Sequence, residues 1–272
     1  MKKILVTTDF SLAAHNAVNY AADMAMAMNA DLLLLHVVQT PIGYSDLPIA
    51  INLEDMMRTS EKDMQNLKDE ISKRVNGKIN MDVELGMGGF FDELKNVCER
   101  IKPYAVVMGS QGKTAAEHLL FGAHATYAVI HLPWPVITVP PGVSFSAIKK
   151  IGLASDLTKV VETTPIEEIS MLVKDFNAEL YILNTGRKEV IDADIIFESG
   201  IMQEMMKALK PTFHFISNEN TEEGILDFAE KNQIDLLIVL PKRHTLLGSI
   251  FHRSHTKQFV LHSHIPVITL HQ

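Results

Sequence analysis

The sequence predicts an α/β protein of two similar halves, each built on a parallel sheet of five strands flanked by helices. Its 272 residues favour two compact units, at roughly 150 residues per domain. Short apolar runs alternate with amphipathic stretches, which is the pattern of successive βα units in a parallel sheet. A third observation, an internal repeat, supports the same division.

The repeat is visible at the start and at the end of each half. KKILVTTD at residues 2–9 matches KKIGLASD at residues 149–156, an offset of 147. PVIT at residues 135–138 matches PVIT at residues 266–269, an offset of 131. The second half is therefore shorter, and it lacks the stretch QTPIGYSDLPIAIN that the first half carries at residues 39–52.

Apolar runs of strand length mark five strands in each half. In the first half we predict strands at Ile4–Thr7, Leu32–Val38, Ile79–Leu85, Tyr104–Met108 and Val136–Val139. In the second half we predict them at Ile151–Ala154, Leu180–Asn184, Thr212–Ile216, Leu236–Leu240 and Val267–Leu270. The predicted first-half helices are Ser11–Met28, Leu53–Val75, Phe91–Ile101 and Thr114–His131. Helices alternate with strands likewise in the second half. PPGVSFS, residues 140–146, separates the two domains, which we assign to residues 1–142 and 143–272.

The composition argues against several classes of function. Lysine and arginine number 25 against 33 acidic residues, a formal charge of −8, so a basic face for nucleic acid or an anionic membrane is not expected. With 47% hydrophobic and 21% charged residues, the chain can bury two ordinary cores. The single cysteine, Cys98, excludes an intrachain disulfide and a CxxC redox pair. We assign Cys98 to helix packing.

No segment has the pattern expected of a membrane span or an export signal. Apolar runs such as Leu32–Leu35 and Leu236–Leu240 fall far short of the ~20 residues that span a bilayer. The first apolar run reaches Asp9 too soon for a signal-peptide core. We therefore expect a cytoplasmic protein.

Two turns at the expected carboxyl edge of the first sheet carry residues suited to a ligand. One turn, Thr7–Ser11, follows strand 1, and the other, Gly109–Gly112, follows strand 4 and is itself followed by Gly122. In an open parallel sheet, ligands bind beyond the carboxyl ends of the strands, where the winding direction switches. Glycine lets backbone amides approach a phosphate, and a helix N-terminus adds partial positive charge. These turns indicate an anion site.

Three common motifs are excluded by their spacing. Residues 112–114, GKT, look like the end of a Walker A loop, but the glycine required five positions before Gly112 is Val107. The third glycine of a dinucleotide fingerprint in GMGGFF would be Phe91. No GxSxG nucleophile elbow surrounds Ser110. Hydrolase chemistry therefore loses its main sequence signal.

The glycines that remain have the spacing G-x2-G-x9-G at Gly109, Gly112 and Gly122. Together with V-x-x-D-x-S at Val6–Ser11 and Pro135 before the final strand, this pattern resembles the universal stress protein family, and the resemblance covers both halves. It implies two tandem flavodoxin-like (adenine nucleotide alpha hydrolase-like) domains, each with strand order 3-2-1-4-5. It also implies a stress-response protein that binds ATP in its first domain and acts as a regulator, with no catalytic residues.

The resemblance assigns a role to each matching position. Asp9 would approach the ribose or adenine side, and the backbone at Val37 would face adenine. The remaining roles are lining of the ribose and first phosphates by Met108, Gly109 and Gly112, and amide donation to the outer phosphates by Gly122, Ala123 and His124. AMP or ADP in place of ATP, and a Mg²⁺ ion beside the phosphates, are compatible with the same site.

One position departs from the family pattern. Ala123 stands where the family usually has serine or threonine, so one hydrogen bond to phosphate is lost, at about 1–2 kcal/mol or about five- to thirtyfold in affinity. The backbone amide of Ala123 remains, and Lys113 or His124 is expected to supply a compensating donor. Titration of ATP against Lys113→Ala and His124→Ala tests this hypothesis.

The glycines are replaced in the second half. At offset 131 their positions are Leu240, Arg243 and Arg253, although Ser254 restores a hydroxyl at the next position. Side chains at positions that need positive φ cost roughly 1–2 kcal/mol each, so no ATP is expected there. Lys242, Arg243 and Arg253 form either a basic pocket for another anion or, more commonly, a solvated face.

Several polar residues admit more than one interpretation. Asp9 is a ligand contact rather than a general base, because no acid or nucleophile accompanies it in sequence. Asp156 is a relic of the repeat or a cap for the helix beginning near Thr158. His252 and His255 have a spacing that would allow a shared metal, but no third ligand is evident, and we assign no metal site.

Strand 5 lies at the sheet edge in the implied order, where VITV and VITL would leave backbone groups unpaired. We therefore expect the two halves to pair through these edges into a pseudo-dimer, and two chains to form a homodimer. Two alternatives stay open: an adenine-nucleotide hydrolase-like enzyme such as an ATP pyrophosphatase, and a nucleotide-free interaction module. The turn TTDFS lacks the glycines that the enzyme's phosphate loop would need. Assays of pyrophosphate release and of small molecules freed by heating distinguish the three.

Overall fold

A computed structural model of the protein describes residues 2–39, 53–110, 123–185, 193–241 and 253–271. The strands of the first half are β1 (Lys3–Thr7), β2 (Asp31–Val38), β3 (Met81–Met87), β4 (Ala105–Gly109) and β5 (Val136–Val139). Those of the second half are β6 (Lys150–Ala154), β7 (Glu179–Thr185), β8 (Thr212–Ile216), β9 (Leu236–Val239) and β10 (Val267–Thr269).

Helices lie between successive strands. The first half has α1 (Leu12–Met28), α2 (Leu53–Arg74), α3 (Phe90–Ile101) and α4 (Ala123–His131). The second half has α5 (Val160–Thr163), α6 (Ile166–Phe176), α7 (Ala193–Met205), α8 (Thr221–Lys231) and α9 (Arg253–His262). Within the described ranges, no helix has both the length and the apolar character needed to cross a membrane.

The ten described strands form one continuous sheet in the order β3-β2-β1-β4-β5-β10-β9-β6-β7-β8. Neighbouring strands within each half are parallel. Each half therefore has the order 3-2-1-4-5, which confirms the fold class predicted from the sequence. The chain winds from β1 through β2 to β3 and then returns to β4 on the other side of β1. The winding direction switches between β1 and β4, which is where open α/β sheets hold ligands.

The two halves meet at an antiparallel seam between β5 and β10, where Ile137 lies opposite Ile268. The hydroxyl of Thr138 donates to the carbonyl of Val267 at 3.3 Å. Nε2 of the buried His271 donates to the carbonyl of Val129 at 3.0 Å, since a carbonyl oxygen can only accept. The expected pairing of the halves through their strand-5 edges is thus present in the structure.

The hydrophobic core differs between the two faces of the sheet. On the face covered by α1, α2, α6 and α7, a single apolar cluster runs through both halves and includes Ile4, Ile137, Ile151 and Ile268. On the other face there are two clusters, one under α3 and α4, which also includes Val260 of α9, and another under α8 and α9. The halves therefore share apolar packing on both faces as well as backbone hydrogen bonds at the seam.

The predicted elements differ from the observed ones mainly at their ends. Helix α1 begins at Leu12 rather than Ser11, because the Ser11 hydroxyl accepts the Ala14 amide at 3.1 Å and so caps the helix. Strand β3 begins two residues later than predicted, since a turn containing Gly77 at φ 63° follows α2. The predicted helix 114–131 is described only from Ala123, and its earlier part lies outside the described residues.

The stretch between the halves is bound to the first helix. Residues 140–149 have no regular secondary structure beyond a turn, in which Gly142 has a φ of 75°. The side-chain amide of Asn16 donates to the carbonyls of Pro140 at 3.1 Å and Val143 at 3.0 Å. The domain boundary between residues 142 and 143 stays a prediction.

Candidate functional site

The turn after β1 is held by its own side chains. The Asp9 carboxylate accepts the Ser11 amide at 2.9 Å, and the Thr8 hydroxyl accepts the Phe10 amide at 3.0 Å. Phe10 adopts a left-handed conformation with φ 60°, which turns the chain sharply from the strand into α1. These bonds orient Asp9 at the carboxyl end of β1, beside the winding switch.

Strand β2 supplies a second wall of this edge. Val37 is buried, and its backbone lies opposite Gly86 of β3. The neighbouring residue, His36, donates from Nδ1 to the carbonyl of Thr8 at 2.8 Å. Its ring packs against Phe10 with ring centroids 4.6 Å apart. His36 therefore ties β2 to the β1 turn, a role that sequence reasoning did not assign.

Strand β4 lies on the other side of β1. Val107 is in register with Val6, so Met108 and Gly109 are beside the last residue of β1 and the turn that follows. Met108 is buried and Gly109 is half-buried at the strand end. The next amide, that of Ser110, donates to the carbonyl of Val139 at 3.0 Å. The two strands that flank the winding switch thus end side by side.

The described part of helix α4 includes two residues that were predicted to face phosphates. Ala123 is the first of its described residues and is exposed. The ring of His124 stacks on Phe90 of α3, with centroids 4.5 Å apart and planes at 20°, and meets the edge of Phe91 at 5.3 Å. Partial burial lowers the pKa of His124 below its ordinary value, while the Asp9 carboxylate opposes that shift.

Six of the predicted site residues are described, and they gather at one edge of the first half. Asp9, Met108 and Gly109 lie at or just beyond the ends of the two strands beside the switch, and Val37 lies in the next strand. Ala123 and His124 are the first described residues of the helix that follows. The remaining three, Gly112, Lys113 and Gly122, are outside the described residues, and their roles stay predictions.

The glycines of GMGGFF, which do not match a dinucleotide-binding fingerprint, have a structural role that was not predicted from the sequence. The Gly88 amide donates to the carbonyl of Val38 at 3.0 Å, and Gly88 has a φ of 120°, which strongly favours glycine. Gly89 then precedes the first residue of α3, Phe90. The turn thereby places the ring of Phe90 against His124.

The second half repeats the turn geometry after its first strand. Asp156 accepts the Thr158 amide at 3.2 Å, and Leu157 has φ 50° at the position of Phe10. The interpretation of Asp156 as a helix cap is corrected by this contact. The Asp156 carboxylate closes a turn ahead of the short helix α5, and the N-cap residue of that helix is Lys159, which makes no side-chain capping bond.

The polar groups of the last third are arranged differently from those of the first half. His255 occupies the position of His124 at offset 131, and Glu222 occupies that of Phe91. His255 Nδ1 lies 2.7 Å from a carboxylate oxygen of Glu222. Throughout the part of the chain that the structure describes, no group of three histidine, cysteine or acidic side chains could hold a metal ion. His252 lies outside the described residues.

A cavity of about 590 Å³ opens beside α8 and α9. It lies in the second half, away from the predicted site. Its lining includes the carboxylates of Glu222, Glu223, Asp227 and Glu230. Such a lining repels a phosphate, so this cavity does not compete with the first-half edge as an anion site.

The fold and the site together define a tandem α/β protein with candidate ligand residues at the winding switch of its first half. The model of the universal stress protein family matches residues 1–140 and again residues 148–271. The chain therefore belongs to the universal stress protein family and contains two copies of its domain in tandem.

Individual relatives agree with this assignment. A universal stress protein of Methanocaldococcus jannaschii is 25% identical over 139 residues, which cover 51% of this chain and 81% of the relative. The crystal structure of a universal stress protein from Archaeoglobus fulgidus superposes with a TM-score of 0.73 at 17% identity, covering 99% of this chain and 98% of that one. A functionally unknown protein from Pseudomonas aeruginosa gives 0.63 at 14% identity, covering 100% and 92% of the two chains. These two structures are similar in fold.

Proposed function

We propose that the first half binds an adenine nucleotide, with ATP as the ligand, across the carboxyl ends of β1 and β4, and that binding is regulatory rather than catalytic. The observation that carries the proposal is that β1 and β4 end side by side at the winding switch, which brings Asp9 next to Met108 and Gly109. The match of both halves to the universal stress protein family supports it.

The described residues suit the parts of such a ligand. A fixed carboxylate at Asp9 accepts hydrogen bonds from ribose hydroxyls or the adenine amine, and the backbone of Val37 offers amide groups to the base. Ala123 and His124 lie in the described part of α4, and the resemblance to the family assigns their backbone amides to the outer phosphates. We assign three further residues to this site from the glycine spacing alone: Gly112, Lys113 and Gly122.

The polar side chains of the β1–α1 turn already form hydrogen bonds within the turn, which favours ligand binding over catalysis as their function. Asp9 is committed to the Ser11 amide, and the Ser11 hydroxyl caps α1 through the Ala14 amide. A carboxylate and a hydroxyl that maintain a turn are well placed to orient a ligand. General acid–base work would instead require one of them to exchange protons with the substrate.

We propose that the second half binds no nucleotide. Glu222 stands beside His255, so a carboxylate occupies the surroundings of the imidazole that corresponds to His124. Negative charge at this point disfavours the phosphates of a ligand. One nucleotide per chain is therefore the expected stoichiometry.

Calorimetric titration of the purified, ligand-free chain tests the proposal. ATP, ADP, AMP, adenosine and GTP are titrated with and without Mg²⁺, and phosphate and pyrophosphate are assayed in the same samples. We expect adenine nucleotides to bind more tightly than adenosine or GTP, with neither product released. Failure of all three adenine nucleotides to bind would refute the proposal and favour a nucleotide-free interaction module. Steady release of phosphate or pyrophosphate would favour the enzyme.

We also propose that the chain is a cytoplasmic homodimer. The strand-5 edges β5 and β10 are already paired within the chain, so the dimer must use another surface. Light scattering of the full chain is expected to give twice the chain mass of 30.4 kDa, and a mass equal to one chain would refute the dimer.

A further inference from the structure

The imidazole of His124 packs against aromatic rings of α3. His124 lies in α4, it retains solvent exposure, and its ring lies nearly parallel to Phe90 at 4.5 Å. Phe91 meets it edge-on at 5.3 Å. Two rings from α3 therefore restrict its orientation before any ligand arrives.

The groups around His124 would allow a bound anion to raise the pKa of its imidazole. Partial burial lowers its pKa, and the opposing charge is the carboxylate of Asp9 on the β1–α1 turn. Helix α3 presents the rings of Phe90 and Phe91 to it, and the next titratable groups along α4 are Tyr127 and His131. The imidazole is thus mainly neutral at neutral pH, and nearby negative charge from a phosphate would favour its protonated form.

The repeat provides a natural comparison for this arrangement. In the second half the corresponding His255 already has a carboxylate partner, Glu222, at 2.7 Å. In the first half the residue at the position of Glu222 is Phe91. The chain thus places a carboxylate in direct contact with His255, whereas the equivalent position beside His124 holds an uncharged ring and the Asp9 carboxylate acts on it through space. A ligand phosphate in contact with His124 would take the place that the Glu222 carboxylate holds beside His255.

We infer that His124 takes up a proton as the phosphates of the nucleotide bind, so that the first half recognises the phosphate charge of its ligand through a titrating imidazole. The inference rests on the proposed function and extends it. Protonation gives the imidazole a positive charge, so ion-pair attraction adds to a hydrogen bond whose phosphate acceptor is already charged. It also compensates for the hydroxyl that Ala123 lacks. Nucleotide affinity should therefore rise as the pH falls through the range in which His124 titrates in the complex.

Calorimetry at pH 7.0 in three buffers of different ionisation enthalpy counts the protons taken up per ATP. The proteins compared are the unaltered chain, His124→Gln and the matched control His255→Gln. An opposite charge nearby raises a pKa, so the unaltered chain should take up more protons per ATP than His124→Gln does. His255→Gln should match the unaltered chain, and adenosine should give no difference among the three.

The affinities give a second readout. His124→Gln should bind ATP about fivefold more weakly than the unaltered chain at pH 6.5 and within about twofold of it at pH 8.5. Equal proton uptake by the unaltered chain and His124→Gln, with both binding ATP, would overturn the inference and leave the proposed function intact. Absence of ATP binding to the unaltered chain would overturn both.

A measurement on the unaltered chain avoids dependence on the folding of the variant. The His124 ring resonance is followed by NMR against pH, with and without saturating ATP. We expect its midpoint to rise by about one unit or more when ATP is bound. An unchanged midpoint in the ATP complex would contradict the inference.

Discussion

Replacement of Asp9 by asparagine separates the charge of this residue from its role in the turn. The Asp9 carboxylate accepts the Ser11 amide at 2.9 Å, and the side-chain carbonyl of asparagine can accept the same bond. A neutral hydrogen bond contributes about 0.5–1.5 kcal/mol and one to a charged group about 1.5–3 kcal/mol. The turn should therefore lose at most about 2.5 kcal/mol of stability. The same change at a ligand hydroxyl weakens ATP binding by about 1–2 kcal/mol, or about five- to thirtyfold.

The second half supplies the control for this experiment. Asp156 makes the equivalent contact with the Thr158 amide at 3.2 Å, and its replacement by asparagine should leave ATP affinity within about twofold of the unaltered value. Affinity is measured by calorimetry and stability by urea unfolding. If Asp9→Asn and Asp156→Asn weaken ATP equally, or if Asp9→Asn binds as tightly as the unaltered chain, Asp9 is not a ligand contact.

Three further predictions concern packing and titration. Burial, followed by the nearby Glu99, raises the pKa of the Cys98 thiol to about 12, so iodoacetamide at pH 8 should alkylate it at least about a hundredfold faster in urea-unfolded than in native protein. A Cβ at Gly152 would lie 3.1 Å from Leu183 Cδ1, so Gly152→Ala should lower the free energy of unfolding by about 1–3 kcal/mol; an unchanged urea midpoint would contradict this. Burial lowers the pKa of His214, so the unfolded chain binds more protons and stability falls as the pH drops through about 6.5 towards the folded value. The loss of unfolding free energy between pH 7.5 and 5.5 should be smaller in His214→Leu, and an equal loss would show that His214 does not contribute.

Much of the fold could be predicted because it depends on local patterns. Buried parallel strands are continuous apolar runs, as in Leu32–Leu35, so their number and approximate bounds are visible without a structure. The seam between β5 and β10 could also be anticipated, since both halves end in an edge strand with the same PVIT segment. The start of β3 was misplaced, because Ile79 is apolar enough to continue a strand although the chain still bends at that position after the turn that follows α2.

The candidate site was predictable only in part. The sequence pointed to Asp9 and His124 through their spacing relative to strands and glycines, but it carried no signal that Phe90 would stack on His124. That contact depends on how α3 and α4 pack on the same face of the sheet. The same is true of His36, whose bond to the Thr8 carbonyl joins residues 28 positions apart. Alignment of the repeats shows that Glu222 corresponds to Phe91. The contact of Glu222 with His255 could not be predicted, because it depends on how α8 and α9 pack together.

The number of ATP molecules bound per full chain tests the central claim most directly. Equilibrium dialysis of the ligand-free protein against labelled ATP, carried to saturation, measures this number without reference to any variant. We predict one ATP per chain, held by the first half. A value of zero would remove the proposed nucleotide site, and a value of two would show that the second half has kept a site despite the carboxylate beside His255.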